Sequence, residues 1–88
     1  MTARYQRAEA VLWRRSADAV VVLPLDSGEV FTLHGSGSAL WEVLARARTL
    51  DEAARQLGAT FDRPVDNIAA EIAPVLRELA RRRAVTES

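Results

Sequence analysis

The spacing of hydrophobic residues in the first third of the chain predicts β-strands. Residues 19–23 form an unbroken, mostly β-branched run that ends before Pro24, as expected of a central strand. Residues 29–33 alternate apolar and polar side chains after a turn-forming Asp-Ser-Gly segment, so these two runs predict a hairpin. Residues 11–13 predict a shorter strand before it. The three strands would form an antiparallel meander whose last strand is an open edge, with Phe31 and Leu33 facing the core.

Apolar residues then recur at helical spacing. A first run over residues 40–47 includes Leu40 and Trp41, and Ser36 or Ser38 is a candidate cap for this helix. A second run begins where a threonine and a glutamate three residues later form a capping box, and it ends at Gly58. The meander is therefore predicted to be followed directly by two helices.

A third helix is predicted to be the longest element. Asp62 is its expected cap, Pro64 lies in its first turn, and Pro74 inside it predicts a kink. Its apolar face comprises Val65, Ile68, Ile72, Val75, Leu76 and Leu79. The order of elements is three strands and then three helices, an α+β fold in one domain over residues 1–88.

Composition and motifs argue against most catalytic and cofactor-binding classes. The chain has no cysteine and a single histidine, His34, which has no spaced partner for a metal site. Gly35 and Gly37 spell only a fragment of a nucleotide-binding motif, and no Gly-x-Ser-x-Gly elbow is present. We therefore expect a protein that is not an enzyme and that uses no cofactor or metal.

The net charge of the chain is zero, with 12 basic and 12 acidic residues, and all of the basic side chains are arginine. This balance argues against a general nucleic-acid binder. Neither a signal peptide nor an apolar run long enough to span a membrane is evident, which predicts a cytoplasmic protein with no membrane partner. Arg81, Arg82 and Arg83 close the third helix, where cations complement the helix dipole.

The segment from Val11 to Val85 resembles the PqqD-like proteins, also known as RiPP recognition elements. These are small domains that bind the leader peptides of ribosomally made, post-translationally modified peptides. The stretches "VFTLHGSGSALWEVL" and "TLDEAARQL" carry the resemblance. The residues that fit the family pattern are Phe31, Leu33, Ser36, Gly37, Leu40 and Trp41. Two departures are His34, where asparagine is usual, and the "RRRAV" segment, which replaces a common glycine and leucines.

The resemblance implies a winged-helix-like domain in which a precursor's leader peptide adds as a strand beside the third strand and the third helix. Its expected partners are that leader and a modifying enzyme, leader protease or radical SAM enzyme of the same pathway. The candidate peptide-binding residues are Glu29, Val30, Phe31, Thr32, Leu33, Val65, Ile68, Ala69, Ile72 and Leu76. The residues leave two alternatives open, a winged-helix DNA-binding protein and a subunit that stabilises a larger enzyme.

Overall fold

Two three-stranded antiparallel sheets and three helices form the fold in the computed structural model, which describes residues 2–88. The elements are β1 (Arg4–Arg7), β2 (Val11–Ser16), β3 (Ala19–Pro24), β4 (Phe31–Leu33), α1 (Ser36–Val43), β5 (Arg48–Thr49), α2 (Leu50–Phe61), α3 (Val65–Arg81) and β6 (Val85–Glu87). One sheet has the order β2-β3-β4 and the other β5-β1-β6. The predicted α+β class, with a three-stranded antiparallel sheet and three helices, is confirmed.

The β2-β3-β4 sheet is the predicted meander. Its central strand, β3, matches the predicted residues except that it includes Pro24, which lies opposite Val11. The first strand is longer than predicted and reaches Ser16, because Arg14 and Arg15 remain paired while their side chains extend to solvent. Ala17, in the two-residue turn between β2 and β3, has a positive φ of 56°. The consecutive hairpins thus build this sheet from neighbouring segments of the chain.

The predicted strand over residues 29–33 is wrong at its beginning. Glu29 and Val30 precede β4, which contains only Phe31–Leu33. These residues belong to the connection before the strand, in which the Gly28 N–H donates to the Pro24 carbonyl and the Glu29 N–H donates to the Ser27 hydroxyl. The predicted sidedness of the strand is correct, since its two apolar side chains are partly buried against the core and Thr32 is exposed.

A second sheet, β5-β1-β6, corrects the predicted order of three strands followed by three helices. Tyr5 in the central strand β1 lies opposite Arg48 of β5 and Glu87 of β6. The Ser88 and Arg4 backbones exchange two hydrogen bonds of 2.9 Å. Both ends of the described chain are therefore held together on one side of the domain.

The start and the end of α1 differ from the prediction. Gly35 is the N-cap, with φ 55° and no side-chain hydrogen bond, and α1 stops at Val43, so Ala47 lies outside it. Neither serine caps this helix. The hydroxyl of Ser38 instead accepts a hydrogen bond of 3.1 Å from Arg15. A glycine with positive φ reverses the chain here without help from a side chain.

The capping box of α2 is confirmed. The Thr49 hydroxyl accepts from the Glu52 backbone N–H at 3.0 Å, and the Glu52 carboxylate accepts from the Thr49 N–H at 2.8 Å. The helix nevertheless continues past Gly58 to Phe61. A side chain at Gly58 would place its Cβ 3.0 Å from the Arg63 carbonyl oxygen, so this glycine permits the close approach of the α2–α3 turn.

The predicted cap of α3 is also wrong. Asp62 is the C-cap of α2, in a left-handed conformation with φ 52°, and Pro64 is the N-cap of α3. The helix continues without a break through Pro74, as predicted for one helix rather than two. An aspartate tolerates the left-handed region well enough to end a helix instead of starting one.

The core lies between the meander and the three helices. Trp41 is fully buried, and its ring packs edge to face on Trp13 of β2 with 6.0 Å between the ring centroids. The core residues are Val20, Val22, Leu40, Trp41, Val43, Leu44, Ala53, Ala54, Leu57, Ile68, Ile72, Leu76, Leu79, Ala84 and Val85. This packing holds α3 in place beside β4.

Candidate functional site

A groove runs between β4 and the second half of α3. Its apolar wall on the strand side is formed by Phe31 and Leu33, and on the helix side by Pro74, Val75 and Leu79. The groove has a volume of about 350 Å³. Leu79 is 1% exposed and Val75 is partly buried, so both residues pack against the core as well as lining the groove.

The β4 strand has an unpaired edge in the part of the chain that the structure describes. β4 pairs with β3 through Val20–Leu33, Val21–Thr32 and Val22–Phe31, and no strand follows it in the sheet. In an edge strand, every second residue points its backbone N–H and C=O groups away from the neighbouring strand, so these groups have no partner in the sheet. The predicted open edge is thus confirmed, and it lies along the apolar groove.

Charged side chains line one end of this groove. The Arg82 guanidinium lies over the Phe31 ring, 4.9 Å from its centroid, and Arg82 Nε is 3.7 Å from Glu78 Oε1. Arg81 donates to both carboxylate oxygens of Glu78, at 2.7 and 3.0 Å. These hydrogen bonds from Arg81 lower the pKa of Glu78, so the carboxylate is ionised at neutral pH.

The structure divides the predicted site residues between the groove and other places. Phe31, Thr32 and Leu33 line the groove. Glu29 and Val30 are exposed and precede the strand. The five residues predicted on α3 do not line the groove. Three of them lie in the core with at most 2% of their surface exposed: Ile68, Ile72 and Leu76. Ala69 is partly buried against the core, and Val65, at the start of the helix, is 36% exposed. The predicted strand and helix do meet, but residues in the second half of the helix, other than those predicted, border the groove.

The helix residues at the groove are Pro74, Val75, Glu78, Leu79 and Arg82. They recur three or four positions apart, so they share one face of α3. Val75 and Leu79 belong to the predicted apolar face of the helix but not to the predicted site residues. A helical apolar stripe gives no sign of which part meets the core and which part meets a groove. The interrupting Pro74 and the polar Glu78 and Arg82 were the available signal that this end is accessible.

Metal-binding and membrane-spanning features are absent from residues 2–88. No group of three or more His, Cys, Asp or Glu side chains is placed to hold a metal ion. None of the helices in the described part of the chain is long and apolar enough to cross a membrane.

The surface of α2 does not favour contact with DNA. Asp51 binds Arg55 at 3.0 Å within the helix, and Glu52 occupies its first turn. Carboxylates at the start of a recognition helix would repel phosphate, and the paired arginine is already neutralised. The alternative of a winged-helix DNA-binding protein is not supported.

Comparisons with known proteins give a consistent result. The family model described as "Coenzyme PQQ synthesis protein D (PqqD)" matches residues 19–85, from the start of β3 to the start of β6. A solved structure described as TbiB1 in complex with the TbiA(beta) leader peptide aligns with a TM-score of 0.80 and 25% identity, covering 91% of this chain and 93% of that chain.

A second structure is the solution NMR structure of the PqqD truncation of Methylobacterium extorquens PqqCD. It is described as a functional and stand-alone RiPP recognition element. It aligns with a TM-score of 0.76 and 25% identity, covering 94% of this chain and 88% of that chain. No curated protein matches the chain.

Proposed function

The chain belongs to the PqqD family, and from this premise we propose that it binds the leader peptide of a ribosomally synthesised precursor. In this role the domain is non-catalytic and presents the precursor to a modifying enzyme, leader protease or radical SAM enzyme of the same pathway. The observation that carries the proposal is the apolar groove of about 350 Å³ along the unpaired edge of β4.

A leader peptide would bind by strand addition. Its backbone would hydrogen-bond to the free edge of Phe31–Leu33, and alternate side chains would enter the groove towards Val75 and Leu79. A disordered peptide loses about 2–5 kcal/mol of binding free energy on ordering. Three edge residues alone offer few hydrogen bonds, so the apolar contacts along α3 supply much of the affinity.

The similar structures support this interpretation in two ways. TbiB1 is described in complex with a leader peptide, so a domain of this fold has been observed with that kind of ligand. The PqqD truncation is described as functional on its own, which supports a binding role that needs no catalytic domain in the same chain. The cytoplasmic location stays a prediction.

The proposal is tested by blocking the groove. Val75→Arg places a long charged side chain in the groove, and we expect the affinity for the leader of the precursor encoded beside this gene to fall at least about tenfold. Fluorescence anisotropy with the labelled leader measures this affinity, and thermal denaturation checks that the variant folds. Val75 is only partly buried, so the melting temperature should change little.

Val65→Arg is the matched control, because it makes the same change on the same helix at a position outside the groove. Its affinity should equal that of the parent chain. Loss of binding in Val65→Arg with normal binding in Val75→Arg would place the peptide at the beginning of α3 rather than in the groove. Absence of any leader binding by the folded parent would instead favour the subunit that stabilises a larger enzyme.

A further inference from the structure

The groove has two chemically different ends, and the structure gives their order. A Cβ atom on Gly37 would lie 3.5 Å from Leu33 Cδ2 and 3.9 Å from Val75 Cγ1, so these two side chains meet at one end. Arg82 lies over Phe31 at the other end. β4 and α3 therefore run in opposite directions along the groove. The groove itself has an apolar end at Leu33 and a charged end at Phe31.

At the charged end, Arg81 and Arg82 share the carboxylate of Glu78. Arg81 hydrogen-bonds to both of its oxygens, whereas Arg82 forms only a longer ion pair of 3.7 Å with Oε1 and has no hydrogen-bonded carboxylate among the residues described. The cation–π contact with the Phe31 ring, 4.9 Å from its centroid, holds the guanidinium in place. The edge of a stacked guanidinium still carries N–H donors that match the two oxygens of a carboxylate.

The backbone at the end of α3 does not compete for this arginine. The Arg82 N–H donates to the Glu78 carbonyl, the Arg83 N–H to Ala80, and the Ala84 N–H to Leu79. The carbonyls of these three residues in the last turn of the helix are thus hydrogen-bonded within the chain. Arg82 is partly exposed, with 31% of its side chain accessible, and lines the groove.

We propose that Arg82 is a specificity residue that selects leader peptides carrying an aspartate or glutamate at the Phe31 end of the groove, with an apolar side chain at the Leu33 end. This inference rests on the proposed function, because it assigns the chemistry of the peptide that the groove takes. A guest with a neutral or basic residue at that position would leave Arg82 with only its longer ion pair to Glu78.

The strand geometry also sets the spacing between the two guest residues. Side chains of an added strand that point into the groove are separated by an even number of positions. Phe31 and Leu33 are two residues apart, and Val75 to Arg82 spans seven helical residues, roughly 10 Å of axis. The carboxylate should therefore lie two or four residues from the apolar anchor, and an odd spacing would turn it away from Arg82.

A phage-displayed library of short random peptides, selected on the immobilised full chain, tests this proposal. We expect the recovered peptides to share an apolar residue and an acidic residue at an even spacing. Replacing that acidic residue by its amide should weaken binding about fivefold, the effect of an ion pair of about 1 kcal/mol. Arg82→Gln should weaken binding of the acidic peptide by the same factor and should not change binding of the amide peptide.

Arg77→Gln is the matched control, since it removes the same charge from an exposed position of α3 outside the groove. Its affinities should equal those of the parent chain. Selected peptides without acidic enrichment, or equal binding of the acidic peptide by Arg82→Gln and the parent, would overturn the specificity role while leaving the groove intact. If no peptide is recovered, or if Val75→Arg binds the peptides as well as the parent does, the groove itself is refuted and this proposal with it.

Discussion

The two sheets of this small domain have three strands each but differ in what borders their edges. β4 ends the meander beside Val75 and Leu79, so its free backbone groups lie along an apolar groove. β6 ends the other sheet with a buried Val85 followed by exposed residues, and the nearest cavity is lined mainly by polar side chains such as Gln6 and Thr86. Of these two edges, only that of β4 combines free backbone groups with an apolar helix surface, which is why the proposed peptide site lies there.

The sheets also differ in how they are joined to the core. The meander places Val20 and Val22 under the helices with no exposed surface, whereas β1 contributes mainly the partly buried Tyr5. The β5-β1-β6 sheet is assembled from distant parts of the chain. We infer that the meander maintains the groove and that the second sheet mainly adds stability.

The largest expected effect follows from removing the contact between the meander and α1. Trp41→Ala should lower the free energy of unfolding by about 3–5 kcal/mol, because the ring is fully buried against Trp13. Urea denaturation measures the change. Trp13→Ala is the comparison, and since Trp13 is 42% exposed its effect should be smaller. Equal losses in both variants would contradict the assigned core.

A smaller effect is expected in the second sheet. Val85→Ala in β6 should lower the free energy of unfolding by about 2 kcal/mol, because the side chain is only 4% exposed. Leader affinity, measured under conditions where the variant is folded, should not change. Glu87→Ala on the same strand is exposed and should alter neither quantity. Weaker binding by folded Val85→Ala would show that the two sheets are coupled at the groove.

The connection between α3 and β6 gives a stabilising prediction. Arg83 has φ 63°, a left-handed conformation that is unfavourable for arginine and suits glycine. Arg83→Gly should raise the free energy of unfolding by about 0.5–1 kcal/mol, after allowing for the greater flexibility of the unfolded chain. Arg77→Gly inside α3 should instead lower it by about 1 kcal/mol. Thermal denaturation of both variants measures these changes. Loss of stability in both would contradict the prediction.

The smallest effect concerns pH and the ion pair that joins β1 to α2. The Thr49 backbone N–H, and then Arg4, lower the pKa of Glu52 below its ordinary value of 4.5. A lowered carboxylate pKa stabilises the fold above the unfolded-state pKa, and this contribution is lost as the pH falls through the folded-state pKa. Glu52→Gln should therefore show a smaller fall in melting temperature than the parent between about pH 5 and pH 3. An unchanged pH dependence would contradict this role.

Predictions from local pattern were accurate where neighbouring residues form the structure. The alternation in Phe31–Leu33 and the Thr49–Glu52 capping box both depend on side chains a few positions apart, and both are observed. Local patterns failed at the helix boundaries around Gly35 and Asp62. There, a positive φ decides whether a residue ends one helix or begins the next, and several residue types can adopt it.

The predicted site residues on β4 line the groove, whereas those predicted on α3 do not. Ile68 and Ile72 belong to the same apolar pattern as Val75, yet the first two are fully buried and the third lines the groove. The pattern alone could not separate them, because apolar side chains have the same helical spacing whether they face the core or a groove. Their separation depends on where α3 passes the end of the meander.

The sequence by itself determined the meander, the three helices and the family, because hydrophobic spacing and turn residues act over short distances along the chain. Only the tertiary structure decided that β1, β5 and β6 form a second sheet, since their hydrogen bonds join residues far apart in sequence. It also decided that Arg82 stacks on Phe31 beside a free strand edge. Both outcomes require the packed core, which brings together surfaces that no local pattern encodes.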